Sequence, residues 1–243
     1  TLQQLASRNF GRTPQMRNLF ILAFTLLISF PISSEATPLN SWSTSCSVEK
    51  GAITKRRGVY TFTTSKNLCS GGTWGQRAEI KSKKISPNTK GAYLFETNVA
   101  MTSDSNEKFD IFQIHDGRDG CAPPLKVQVG KTGRIRLQSA VKLGPGEQCR
   151  PETRTDGSSE IRLLRDGTEY QLRILIQFNG NGEFQTTVWL NGEPVVNGYY
   201  ERPTIPGAFM SENFYFKHGV YSKYMFEYEM TSRKLVVKKV KAR

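Results

Sequence analysis

Histidine is scarce in this chain: only His115 and His218 occur in 243 residues. That excludes a metal centre built from several imidazoles, and no cluster of Asp and Glu offers a substitute, so neither metal nor cofactor is expected. Cysteine is nearly as rare. The four present, Cys46, Cys69, Cys121 and Cys149, form no CxxC pair and have no histidine beside them, which argues against a zinc site. Long stretches of helical period, internal repeats and low-complexity segments are all missing, which removes helical bundles and solenoids. No helix-turn-helix, RNP-type or finger pattern occurs, so nucleic acid is not the expected partner.

Methionine is absent from residues 1–15, and Met16 then opens MRNLFILAFTLLISFPISSEA. Arg17 gives a basic start, residues 19–32 an apolar run, and Ser34 and Ala36 the small residues of a cleavage site. The run is too short for a membrane span and is interrupted by Pro31, so it reads as a secretory signal peptide. The expected organisation is an unexplained extension over 1–15, which an upstream extension of the reading frame would account for, a signal peptide over 16–36, and one domain over 37–243. The mature chain is expected to be secreted, free of the membrane and monomeric. Export gives the even cysteine count a meaning: disulfides. Sequence neighbours suggest Cys46 with Cys69 and Cys121 with Cys149, one of three possible pairings.

Charge of one sign dominates what is present. There are 34 basic and 21 acidic residues; without Arg8, Arg12, Arg17 and Glu35 the remainder is 31 and 20, a net +11. A field of one sign concentrates ligands of the other, and for an exported protein an acidic polysaccharide is the fitting polyanion.

From Gly58 onward, short alternating runs are separated by turn residues. The pattern predicts strands over 59–64, 77–82, 93–101, 108–115, 125–129, 134–139, 160–164, 170–178, 185–190 and 213–221, and two more within 224–240, divided by a turn in the polar stretch 230–234. Gly130 to Gly133, Asp166-Gly167, Asn179 to Gly182 and Asn191-Gly192 supply turns, the last suited to a type I′ hairpin. Residues 142–159, rich in Gly, Pro and charge, read as a long loop folded over a groove edge. Ten or more half-apolar strands close into an all-β two-sheet antiparallel sandwich, a concanavalin-like β-jelly roll with a concave substrate groove. In residues 170–178, Leu172, Ile174, Ile176 and Phe178 face one way and Gln171, Arg173 and Gln177 the other, which places Arg173 towards that groove.

Three strands carry chemistry. In FDIFQIHD (109–116), Gln113 and His115 share a face while Phe112 and Ile114 share the other. In QRAEIKSK (76–83), Arg77, Glu79 and Lys81 are set against Ala78 and Ile80. In YFKHGVYSK (215–223), Tyr215, Lys217, Gly219 and Tyr221 alternate with Phe216, His218 and Val220, so His218 lies opposite Tyr221 unless a bulge at Gly219 resets the parity.

RAEI, QIH and YFKHGVY resemble the three signature segments of the alginate lyases of polysaccharide lyase family 7, R-[S/T/N]-E-L, Q-[I/V]-H and YFKAGxYxQ, in the same order. The related jelly-roll lyases that cut glucuronan or heparin have a similar Gln, His and Tyr arrangement. Ala78, Ile80, His218 and Lys223 depart from the family pattern, the last two beside the expected groove. The resemblance implies catalytic roles for Arg77, Gln113, His115 and Tyr221.

The residue types suit that chemistry on their own account. β-Elimination from a uronate removes the C5 proton, which is scarcely acidic while the neighbouring carboxylate keeps its charge. Arg77 and Gln113 can offset that charge. His115 or Tyr221 can take the proton, and Tyr221 can return one to the departing oxygen. Lys217, Glu79, Lys81, Arg173, Tyr215, Lys223 and Trp189 are the further substrate-binding candidates. Two rivals stand beside this reading. A glycoside hydrolase could use Glu227 and Glu229, although the fuller ExDxxE pattern is missing, and a non-catalytic carbohydrate-binding jelly roll needs no such constellation.

Overall fold

A computed structural model describes residues 37–46, 48–66, 76–146, 148–152 and 159–241. The expected extension, the signal peptide and Cys69 lie outside the described residues. After one turn of 3₁₀ helix at Pro38–Asn40, the described residues form fourteen strands: β1 (Trp42–Thr44), β2 (Ile53–Arg56), β3 (Val59–Thr63), β4 (Gln76–Ser82), β5 (Lys90–Thr102), β6 (Phe109–His115), β7 (Leu125–Val129), β8 (Ile135–Lys142), β9 (Cys149–Glu152), β10 (Asp166–Asn179), β11 (Phe184–Leu190), β12 (Glu193–Tyr200), β13 (Tyr215–Ser222) and β14 (Glu229–Val240).

They pair antiparallel into two seven-stranded sheets. The front sheet runs β1-β4-β13-β6-β7-β8-β9 and the back sheet β12-β11-β10-β5-β14-β3-β2. Alternation decides which side chains are shared between them. On β10, Tyr170, Leu172, Ile174, Ile176 and Phe178 are buried while Gln171 and Arg173 face out. Ala78, Ile80, Phe112, Ile114, Phe216 and Val220 supply the front sheet's half of the core. Phe95 from the back sheet meets Phe112 at 4.8 Å between ring centroids, and Phe112 meets Phe216 at 5.1 Å.

The expected all-β sandwich is therefore the architecture, and several local expectations change. The segment 160–164 forms no strand but a single bridge, Arg134 to Arg162, with Leu163 buried. Residues 149–152 of the expected long loop pair with β8, and Cys149 is bonded to Cys121. β12, with Pro194 and Gly198 in it, was too irregular in pattern to be read as a strand, yet it pairs along β11. Its hairpin turn is as expected: Asn191 and Gly192 both have positive φ, 50° and 87°. The turn expected in 230–234 is instead a β-bulge within one continuous strand, with the register shifting between Arg233 and Val236 and Lys234 at φ 55°.

Candidate active site

Cross-strand partners share a face, so the register of the front sheet lays out its outer surface as rows. One row reads Arg77, Tyr221, Asp110, Gln128, Arg136 across β4, β13, β6, β7 and β8. Another reads Lys81, Lys217, Gln113, Lys126, Gln138. Between them Glu79 faces Gly219, and beyond them Tyr215 faces His115. The structure thus brings Arg77, Glu79, Lys81, Gln113, His115, Tyr215, Lys217 and Tyr221 to one face.

Gly219 makes this lattice possible. Its φ is 140°, and a Cβ there would lie 2.2 Å from the Ala78 carbonyl oxygen, so β13 presses against β4 at a point where only glycine fits. It also adds no side chain between Lys217 and Tyr221.

Glu79 organises the middle of the site. Its carboxylate is 1 % exposed, accepts a hydrogen bond from Gln113 Nε2 at 2.6 Å, and has Arg77 Nε 3.3 Å away. Burial pushes its pKa up, against the pull of Lys217 and Arg77. Glu79 Oε1 accepts this bond, which fixes the amide: one N–H is given to Glu79 and the other is left for a ligand. Glu79, expected among the substrate-binding residues, is thus buried within the site. Its contacts run to Gln113 and Arg77, and at 1 % exposure it presents almost no surface of its own.

Tyr221 lies under two cations. The Arg77 guanidinium carbon is 4.7 Å from the centroid of its ring and Lys126 Nζ is 6.0 Å away. Burial raises the phenol's pKa, Arg77 and Lys126 pull it down, and Asp110 and Glu79 add to the rise. Asp110 is itself buried, bonded by Lys126 Nζ at 2.8 Å and Gln128 Nε2 at 3.0 Å. A cavity of about 270 Å³ beside Tyr221 is lined by Lys108, Asp110, Lys126, Gln128 and Lys223, so Lys223 sits at one end of the site.

His115 closes the other end. Gly117 N–H donates to its Nδ1 at 2.9 Å, and the Tyr215 hydroxyl lies 3.1 Å from the same nitrogen, the rings stacked at 5.2 Å. Burial holds the imidazole pKa well below its usual value, and Lys217, Arg77 and Arg118 push the same way. The ring is therefore neutral near pH 7. Because Nδ1 accepts, its single proton is on Nε2. Burial likewise pushes Tyr215 up to about 12 and lowers Lys217.

The loop after β6 is anchored beneath this end. Arg118, 2 % exposed, bonds Asp116 through Nε and Nη2, the Ala140 carbonyl at 2.6 Å and the Tyr200 hydroxyl at 3.0 Å, while Ser211 donates to Asp116 at 2.6 Å. A buried charge with each guanidinium nitrogen hydrogen-bonded is a rigid post for His115, the residue before Asp116.

Two expected substrate binders are elsewhere. Arg173 and Trp189 are cross-strand partners on the outer face of the back sheet, where Arg173 Nε pairs with Glu96 at 3.1 Å and its guanidinium lies 6.0 Å from the Trp189 ring. Alternation fixes which face of β10 Arg173 occupies, but not which sheet the strand joins. Glu227 and Glu229, the hydrolase candidates, are also at the back sheet's β14 end. Sequence reasoning missed Asp110, Lys126 and Gln128. The sequence does carry a signal for Asp110: the apolar positions run Phe109, Ile111, then Phe112, Ile114, a change of parity that marks an extra residue.

No family model and no curated protein matches the sequence. Solved structures do match. Alginate lyase AlgAT5 from polysaccharide lyase family 7 aligns with TM-score 0.54 and 15% identity, over 83% of this chain and 95% of that one. Alginate lyase A1-II′, a member of polysaccharide lyase family 7, aligns with TM-score 0.53 and 14% identity, over 84% and 96%. The alginate lyase from Klebsiella pneumoniae aligns with TM-score 0.53 and 15% identity, over 84% and 97%. At these identities the likeness is one of fold: the chain has the β-jelly roll of these lyases.

Proposed function

We propose that this is a secreted polysaccharide lyase that cleaves an anionic uronate polymer, alginate first among candidates, by β-elimination. The observation that carries the reading is the register of the front sheet, which sets Arg77 directly opposite Tyr221 and, two residues further along β4, packs Glu79 against Gln113. The alginate lyases of the same fold support the choice of substrate class.

The chemistry follows from the donors. A uronate carboxylate placed over Gly219 meets the Arg77 guanidinium, the free N–H of Gln113 and, from the far end, His115 Nε2–H. Each strengthens as charge spreads from C5 into the carboxylate, which lowers the barrier to losing the C5 proton. His115 serves as a donor here, because its lone pair is held by Gly117 and Tyr215.

Tyr221 then carries the proton. As phenolate, stabilised by Arg77 and Lys126, it takes hydrogen from C5; as phenol it gives that hydrogen to the C4 glycosidic oxygen as the bond breaks. The products are an unsaturated uronate end and a free hydroxyl, with Tyr221 returned to its starting state. One residue can do both only if C5–H and C4–O lie on the same ring face. That is the configuration of mannuronate and glucuronate, and not of their C5 epimers guluronate and iduronate.

Purified mannuronate-rich and guluronate-rich alginate, glucuronan and glycosaminoglycans, followed by the ultraviolet absorbance of the new double bond, test this. Absorbance rising with mannuronate or glucuronate polymers is expected. Cleavage confined to guluronate would overturn the proton route, and no cleavage of any member would overturn the lyase reading.

A further inference from the structure

His218 stands where the resembled motif has alanine, and it is fully buried behind the site. The strand it faces is irregular. Asp110 pairs with Gln128 and Phe112 with Val127, so Ile111 is one residue too many for β7; opposite, Asp110 pairs with Tyr221 and Phe112 with His218. Ile111 and Phe112 consequently both point into the core, at 1 % and 0 % exposure, and Asp110 is delivered to the outer face beside Gln113.

A bulge leaves a backbone group without its ladder partner. Here the Ile111 carbonyl accepts from His218 Nδ1–H at 2.9 Å. With Nδ1 donating, Nε2 accepts, and the Ser232 hydroxyl of the back sheet lies 3.0 Å from it. Ser232 is 2.6 Å from Thr97 Oγ1, which also bonds the Arg233 carbonyl at 2.9 Å. Phe62 and Phe95 pack against the imidazole at 5.6 and 5.1 Å between centroids. No titratable side chain of β3, β5 or β14 bonds the ring.

We propose that His218 is a positioning residue for the active site, tying the Ile111 bulge of β6 to the back sheet so that Asp110 and Gln113 keep a common face with Tyr221. A strand that loses such a pin is free to slip by one residue, and a slip of one exchanges its faces. Asp110 would turn inward, Lys126 would lose its partner, and the phenol would lose a cation held at fixed distance. The tie stands on geometry alone; only its activity readout rests on the lyase reading.

The test compares His218→Ala, His218→Gln, Ser232→Ala and, as a control for lost packing, Val237→Ala, a core position on β14. His218→Ala is expected to lower kcat by about 10²-fold with KM little changed, because the donors for the carboxylate remain but the proton carrier is misplaced. His218→Gln, whose amide can reach the same carbonyl, recovers most of that loss, and Ser232→Ala shows a smaller loss of the same kind. Val237→Ala lowers Tm comparably and keeps kcat. Should His218→Ala not fold, Ser232→Ala carries the comparison. Equal kcat in that variant, or in a folded His218→Ala, and the Val237 control would overturn the proposal. If the wild-type protein cleaves no polyuronate, nitrogen-15 spectra decide separately: a slowly exchanging proton on His218 Nδ1 sustains the tie, and a proton on Nε2 instead ends it.

Discussion

Arg77 and Tyr221 are cross-strand partners whose guanidinium carbon and ring centroid are 4.7 Å apart. In the proposed lyase chemistry this one contact sets the cation meant for a carboxylate over the group meant to move protons. Charge binding and proton transfer are therefore coupled, and substitutions at the two positions should separate them.

Tyr221→Phe keeps the ring and the cation contact and removes only the hydroxyl. General acid–base contributions are about 10²–10⁴-fold, so kcat should fall in that range while affinity for the polymer stays within about twofold. Kinetics together with affinity electrophoresis read both quantities. A binding module would show no turnover in either protein and would keep its affinity.

The pH dependence has a definite sign. Burial holds the Tyr221 phenol above its ordinary value, so the phenolate becomes populated only as pH rises, and kcat/KM should climb towards an alkaline optimum. Lys126→Gln removes a cation that lowers this pKa and should move the limb to higher pH. Asp110→Asn removes a negative charge that raises it and should move the limb down. Parallel shifts in one direction for both variants would break the assignment.

Glu79 and His218 pull stability in opposite directions. Glu79 has a raised pKa, so its contribution is present below about 4.5 and is lost as pH rises through its folded value. Glu79→Gln should therefore cost little stability or add some, and still lower activity because Gln113 loses its orientation. His218 is lowered to about 4, so its contribution is present above its ordinary value of 6.5 and is lost between there and about 4. That span corresponds to roughly 3 kcal/mol, and urea unfolding of wild type and His218→Gln across the interval measures it.

Asp116→Asn leaves the Arg118 guanidinium buried without its counter-charge. Breaking a buried pair by removing one partner costs about 3–5 kcal/mol, much more than an exposed pair such as that of Lys131 and Glu107. Thermal unfolding compares the two, and the double substitution Asp116→Asn with Arg118→Met should recover part of the loss.

Much of this architecture was legible in the chain. Period-two patterning gave most of the strands, and Asn191-Gly192 gave its turn, because local sterics decide both. Parity also put Arg77, Gln113, His115 and Tyr221 on the right faces of their own strands. Sheet membership was not legible, since Arg173 alternates as cleanly as Arg77 and yet belongs to the opposite outer face. β9 escaped notice because four residues containing Pro151 make no pattern; it exists through pairing with β8 and the bond to Cys121. Asp110 was lost by reading β6 at a single phase. Bulges violate the very regularity from which strands are inferred, and here the violation creates the site.

The Cys121–Cys149 bond fastens β9, the outermost strand of the front sheet, to the loop between β6 and β7. β9 in turn shields the backbone of β8, and its own Pro151 blunts the rim against further pairing. Exposure to thiols would thus do more than loosen a loop: with the guard strand released, β8 offers its donors and acceptors to a second molecule. Storage under reducing conditions should show itself as growing particle size before any activity is lost.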